Sequence, residues 1–255
     1  MLQTLKKHRF LFEELVRRDF DRKYKGTVFG AVWSILNPLL SLLIMRVVFG
    51  HFFASSIPHY TTFLFCGMVV FNYFSEATSE GMHALTGNAH IFTKINVPKY
   101  LFLLSKNIQT LINFALTLLV FFLFCAIDGI TFTWKFLALA YPIVMLLLFN
   151  LGMGFLLSAL YVFFRDMQYL WAVLTQLLLY VSAVFYSIDT FSDHVRNTFL
   201  LNPIYLFIRY FRKVVIDSAI PSLGFHVMMA ADTLAVLLLG VWIYRKYDTE
   251  FLYYI

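Results

Sequence analysis

Charge is scarce in this chain of 255 residues: Asp, Glu, Lys and Arg make up 13% of it, hydrophobic residues 61%, and mean hydropathy is +0.77. A water-soluble fold could not hide that much apolar surface behind so little polar surface, so lipid is the solvent. No Gly-Lys dipeptide occurs, which excludes a Walker A phosphate loop and, with it, nucleotide hydrolysis by this chain alone. A GxSxG elbow is also missing, and histidines and carboxylates do not cluster as a membrane hydrolase or transferase would need. The seven histidines (His8, His51, His59, His83, His90, His194 and His226) form no HxxxH or HExxH pair, so no metal site is expected. There are only two cysteines. Cys66 and Cys125 both fall inside apolar runs without CxxC spacing and read as small buried hydrophobes.

What is abundant is long apolar runs. A membrane crossing takes roughly 20 mostly apolar residues, and six segments qualify: Ala31 to Phe53, Tyr60 to Ser79, Asn107 to Ile127, Phe136 to Phe163, Tyr169 to Tyr186 and Phe225 to Tyr244. The expected fold is therefore an all-α membrane protein, one transmembrane domain over residues 1–255. The first 25 residues are charged throughout, so no cleaved signal is visible and the first span would act as the insertion signal. Basic residues set the orientation. With the N-terminus in the cytoplasm, 14 of the 20 Lys and Arg lie on the inner side: Lys6, Lys7, Arg9, Arg17, Arg18, Arg22, Lys23, Lys25, Lys94, Lys99, Lys106, Arg165, Arg245 and Lys246. Five lie outside (Lys135, Arg196, Arg209, Arg212 and Lys213), and Arg46 sits within the first span. The bias places both termini in the cytoplasm. The net charge of +6 gathers beside apolar spans, which favours lipid head groups over nucleic acid as the anionic partner.

Three segments between spans carry information. Before the first span, Phe12, Val16, Phe20 and Tyr24 recur every fourth residue, with Glu13, Glu14, Arg17, Arg18, Asp21, Arg22 and Lys25 on the other face. This pattern predicts an amphipathic helix at the membrane interface within residues 1–30, ended by Gly26 and Gly30. Its basic face is either a solvated anchor or a surface for an anionic head group. Residues 80–106 form the one sizeable internal cytoplasmic connection, with a short run His90 to Lys94 between the breakers Gly87, Asn88 and Pro98; it is either a plain loop or a docking segment for a soluble partner. Residues 196–216 are apolar but carry Arg209, Arg212 and Lys213 and are interrupted at Asn202 and Pro203. Full crossing would bury those charges, so two short re-entrant helices on the outer side are expected.

Carboxylates within spans are costly unless they face the bundle or water. Glu76, Glu80 and Asp232 are such groups; they could couple transport to protons, or simply pair with bases, as Asp232 could with Arg46. Aromatic residues make up 19% of the chain, including 30 Phe and 15 Tyr. Phe71, Tyr73 and Phe74 close the second span, and Tyr180, Phe185 and Tyr186 the fifth; such faces can stack on sugar rings, or merely pack helices and meet lipid.

The stretch Val16-Arg17-Arg18-Asp19-Phe20, then Lys23-Tyr24-Lys25-Gly26 and on through Gly30, Trp33, Leu36, Pro38 and Leu39, resembles the opening of ABC-2 permeases that export O-antigen, capsule and teichoic acid. Asn88 to Lys99 with its closing Val97-Pro98-Lys99, the step Phe164-Arg165-Asp166, and Leu201-Asn202-Pro203 agree with that family in order and spacing. The resemblance implies a homodimer in the bacterial cytoplasmic membrane, bound to two copies of a separate ATPase that holds ATP and Mg, with no cofactor in this chain. It implies a lipid diphosphate-linked polysaccharide as cargo, met by Arg17, Arg18, Arg22, Lys23 and Lys25. It also implies a coupling helix within Gly81 to Asn96, carried by His90, Ile91, Phe92, Thr93 and Lys94, and a path lined by the six aromatics above, flanked by the first and fifth spans. Two rivals remain at this point: a proton-coupled carrier, and an ABC-2 permease for drugs or small lipids.

Overall fold

The computed structural model describes residues 9–53, 57–95, 97–189 and 191–254, and every regular element among them is helical. Lys6, Lys7, His8 and Asn96, named above, lie outside the described residues. The helices are α1 (Arg9–Tyr24), α2 (Trp33–Phe53), α3 (Tyr60–Met82), α4 (Ala89–Phe92), α5 (Tyr100–Ile127), α6 (Ala140–Phe163), α7 (Met167–Val181), α8 (Asp193–Phe199), α9 (Pro203–Val215), α10 (Leu223–Tyr247) and α11 (Phe251–Tyr254). Short 3-10 turns at Gly30–Val32, Thr86–Asn88 and Trp134–Leu139 lead into α2, α4 and α6.

Four stretches are long and apolar enough to cross a bilayer: Trp33–Phe53, Tyr100–Ile127, Trp134–Phe163 and Leu223–Tyr247. The helix that holds the expected span Asn107 to Ile127 begins earlier, at Tyr100. Helix α3 has the length to cross, at 23 residues, but its sequence includes Asn72, Glu76 and Glu80 and is less apolar. It can be so because it faces protein, not lipid: it is buried along nearly its whole length and forms the axis of the bundle. The expected span 169–186 is shorter than drawn. Helix α7 has 15 residues, about 22 Å, and stops at Val181, after which Ala183 takes a left-handed φ of 51° and turns the chain.

Around α3 the core is aromatic. Phe74 meets the Trp171 ring of α7 at 5.9 Å, edge to face, while the Trp171 indole N–H donates to Thr78 Oγ1 at 3.2 Å. Helices α6 and α10 cross so closely that a side chain on Gly152 would lie 2.6 Å from Leu237 Cα. Gly240 faces it across the same crossing, so backbone meets backbone there.

Residues 196–216 do break into two short helices at Asn202-Pro203. Asn202 Oδ1 caps α9 by accepting from the Ile204 N–H at 3.0 Å, and Pro203 occupies the first turn, where no amide donor is needed. Arg212, one of the charges that argued against a crossing, is a structural pin. Its Nε, Nη1 and Nη2 donate to the carbonyls of Phe63, Ala183 and Val184 at 3.3, 2.9 and 2.7 Å, and its guanidinium lies 3.4 Å from the Phe63 ring centre. It thereby satisfies carbonyls left free where α7 ends and joins α3, α9 and the turn. Arg212→Met, which removes all three of these donations, is expected to lower stability by about 3 kcal/mol, measured as a lower unfolding midpoint in detergent. Arg212→Lys is expected to recover only part of it, because one ammonium cannot span three acceptors.

Candidate functional site

At the opposite end of the bundle, α1 lies along α5. The packed stripe is Leu11, Leu15 and Asp19, one position round from the Phe12, Val16 and Phe20 stripe read from the sequence, which is only half-buried. The helix therefore has two apolar edges, one packed on α5 and one half-buried. Asp19 is buried, its side chain 1% exposed, and Arg18 Nη2 donates to its Oδ1 at 2.7 Å, while Lys106 Nζ of α5 lies 3.7 Å from its Oδ2. The same Arg18 nitrogen donates to Asn88 Oδ1 at 2.6 Å, and Lys106 pairs with Glu80 at 2.8 Å. One ionic network thus ties α1 to α3, α5 and the loop before α4. Burial holds the neighbouring His83 imidazole below its ordinary pKa; Glu80 opposes that shift and Lys106 adds to it.

Helix α4 is anchored by the same surface. Phe92 is buried, with its ring 5.7 Å from Phe102 and packed with Leu15 of α1 and Ile91. His90, Thr93 and Lys94 point to solvent. Beyond it, Lys99 donates to the backbone carbonyl of Asp248 and lies 3.4 Å from its carboxylate, so the C-terminal end of α10 and the buried Phe251 close on the same loop.

Between α1, α2, α3 and α5 lies a cavity of about 750 Å³, within the size range of ligand sites. Lys23 stands at its edge and donates to Glu76 Oε1 at 2.6 Å, which also accepts from Asn113 Nδ2 at 2.7 Å. Tyr73 and Phe114 stack at 4.3 Å in its wall. The rest of the wall includes apolar Trp33, Pro38 and Val69 and many polar side chains, among them Asn37 and Ser41 from α2, Asn72, Ser75 and Ser79 from α3, and Thr117 from α5. Polar side chains within membrane helices are tolerated where they face a watered cavity.

The structure separates the candidate bases. Arg18 and Lys23 are committed to Asp19, Asn88 and Glu76. Arg17 is exposed and only 3.9 Å from Asp21, and Arg22 and Lys25 are exposed with no ion pair among the described residues. The six aromatics do not form one surface either. Tyr73 alone lines the cavity; Phe71 and Phe74 are core side chains of the bundle. Phe185 stacks on Phe49 at 4.6 Å at the far end, where the Tyr186 hydroxyl donates to the Tyr180 carbonyl. Tyr180 itself is exposed on α7. The polar wall was missed in the sequence reading, although its signal is there: Asn37 and Ser41, Asn72, Ser75, Glu76 and Ser79, and Asn113 and Thr117 recur at helical spacing inside apolar runs.

A profile of the ABC-2 type transporter family matches residues 11–216, which include most of α1, the cavity and helices α8 and α9. The chain belongs to the ABC-2 type transporter family. As an ABC-2 chain with several helices able to cross a bilayer, it is a multi-pass membrane protein and a transport subunit. It is similar to the O-antigen export system permease protein RfbA of Myxococcus xanthus, 26% identical over 255 residues that cover 98% of this chain and 97% of that protein. A protein of the same name from Klebsiella pneumoniae is 27% identical over 218 residues, 83% of each chain. The polysialic acid transport protein KpsM of Escherichia coli is 23% identical over 243 residues, 94% of each.

Proposed function

We propose that this ABC-2 chain is the membrane subunit of an ATP-driven exporter that moves lipid-diphosphate-linked polysaccharide across the cytoplasmic membrane. Two copies of it act with two copies of a separate ATPase, which carries ATP and Mg. Each copy contributes six spans, α3 and α7 beside the four long apolar stretches, with both termini in the cytoplasm and α8 and α9 re-entering the outer leaflet. The observation that carries this reading is the cavity: a cleft at the α1 end rich in polar side chains, with Tyr73 and Phe114 in its wall and Lys23 at its edge, in a relative of polysaccharide export permeases.

Hydroxyl-rich rings suit such a wall, since amide and hydroxyl side chains exchange hydrogen bonds with sugar hydroxyls and the Tyr73–Phe114 stack offers an apolar ring face. Arg22 and Lys25, and Arg17 with only an exposed 3.9 Å pairing to Asp21, are open to meet the diphosphate, whereas Arg18 and Lys23 hold the scaffold. Coupling is mechanical. An ATPase that grips His90, Thr93 and Lys94 moves Phe92, and through Leu15 and the Arg18–Asn88 bond it moves α1 and the Lys23–Glu76 pair beside the cleft. The apolar faces that α2 and α7 leave uncovered, with Leu40, Ile44 and Val48 on one and Tyr169, Val173 and Leu177 on the other, suit contact with a second copy. A proton-coupled carrier is disfavoured because Glu76 and Glu80 are each engaged in an ion pair, with Lys23 and Lys106. A permease for apolar drugs would have little use for the polar wall.

A photo-crosslinking amino acid at Asn72 tests the reading in cells that make the glycan. Capture of polymer, seen as a mass smear on this chain that depends on the partner's ATP hydrolysis, is the expected result. Absence of capture at Asn72 and likewise at Thr117 would refute the cleft as the path.

A further inference from the structure

Arg46 is the base within an apolar span that the proposed export path does not use. It is exposed on α2 beside Leu43 and Val47, and it has no ion pair among the described residues, with Asp232 or any other carboxylate. A lone charge at such a position is costly unless it reaches a polar partner. Seven residues separate it from Phe53 at the end of α2, about 10 Å of helix rise, so its long stem can bring the guanidinium to head-group depth at the end of the bundle away from α1.

There it lines a cavity of about 960 Å³ together with His51, His59 and Asp128. Asp128 is already engaged: it accepts from Thr62 Oγ1 at 2.6 Å and lies 3.3 Å from His59 Nδ1. His59 is held at the turn into α3 with a left-handed φ of 51°, which fixes its imidazole beside that carboxylate. Arg46 and His51 have no such partner among the described residues and face the same space. Leu43 and Val47 extend the wall along α2, in a stripe beside the Leu40, Ile44 and Val48 stripe that suits a second copy, and an acyl or prenyl chain would lie along it.

From this geometry we infer a second ligand site, for the phosphate of a lipid in the outer leaflet, in which Arg46 gives two parallel N–H donors and His51 a third group. It rests on the exporter reading for which leaflet is outer. Two sources share this chemistry, the diphosphate-bearing carrier lipid left after export and the bulk anionic phospholipid of the membrane.

The test uses the whole complex with its ATPase, stripped of lipid, returned to phosphatidylcholine nanodiscs containing either polyprenyl diphosphate or phosphatidylglycerol, and examined for retained lipid by native mass spectrometry. Retention that falls about tenfold in Arg46→Gln and about threefold in His51→Gln supports the site. If only polyprenyl diphosphate is affected the ligand is the carrier lipid; if both are affected it is any lipid phosphate. Equal retention in the wild type and both variants overturns the proposal. So does loss of the dimer in Arg46→Gln with retention unchanged in His51→Gln, which would place Arg46 at a contact between copies. Polymer capture at Asn72 is scored separately, so failure of this site leaves the export reading standing.

Discussion

Reversing Arg18 to Glu is expected to release α1 from the bundle and abolish export, whereas reversing Arg17 is expected to leave α1 docked. The two residues are neighbours with the same charge, but only Arg18 faces the protein. In Arg18→Glu a second carboxylate would stand beside the buried Asp19 and lose the bond to Asn88. Breaking a buried pair on one side costs about 3 kcal/mol, taken at the low end because the Arg18 side chain is 32% exposed and partly screened. Amide hydrogen exchange over residues 9–24 reads the docking directly. Loss of protection in Arg18→Glu with protection kept in Arg17→Glu is the expected pair of results. An export defect in Arg17→Glu without any change in exchange would then point to the cargo's phosphate as its partner.

The second large effect concerns the link from the ATPase to the cleft. Phe92→Ala is expected to cut export at least tenfold while the partner's ATP hydrolysis continues. Phe92 is 6% exposed, and its ring joins α4 to Phe102 and to Leu15 of α1. Truncation leaves a void worth about 3–5 kcal/mol in a packed core, so α4 would move without dragging α1. Substitutions on the exposed side of the same segment should act differently: Lys94→Ala with His90→Ala is expected to weaken capture of the ATPase itself, read by co-purification. Measuring hydrolysis and export on the same preparation separates the two cases.

Much of this architecture was legible in the sequence because lipid enforces simple rules. Long apolar runs located α2, α5, α6 and α10, and the breakers Asn202 and Pro203 marked where residues 196–216 divide into two helices. Gly26 and Gly30 ended α1 as expected, with φ of 80° and 51°. The misplacements have physical causes. The apolar periodicity of α1 named the half-buried face, because the helix spends its best-packed stripe, Leu11, Leu15 and Asp19, on protein, and a buried Asp19 carries no apolar signal. The end of α7 at Val181 is set by Arg212, 31 positions later in the chain, which no local pattern reveals. The cleft was hidden for the opposite reason: its signal is a spacing of Asn, Ser and Thr within apolar runs, residues easily read as helix breakers or packing when each is taken alone. Among the bases, composition could name Arg17, Arg18, Arg22, Lys23 and Lys25, but only the fold divides those that hold α1 in place from those left open.

The central claim is that ATP hydrolysis by a separate subunit drives glycan through a path built by this chain. Its most direct test is to co-express the chain with a candidate ABC ATPase from the same cell, purify the pair, and measure hydrolysis with and without lipid-linked glycan. A stable complex whose hydrolysis changes with glycan, and loses that response in Phe92→Ala, is the predicted result; a chain that purifies alone, or a complex whose hydrolysis ignores glycan, would contradict the account.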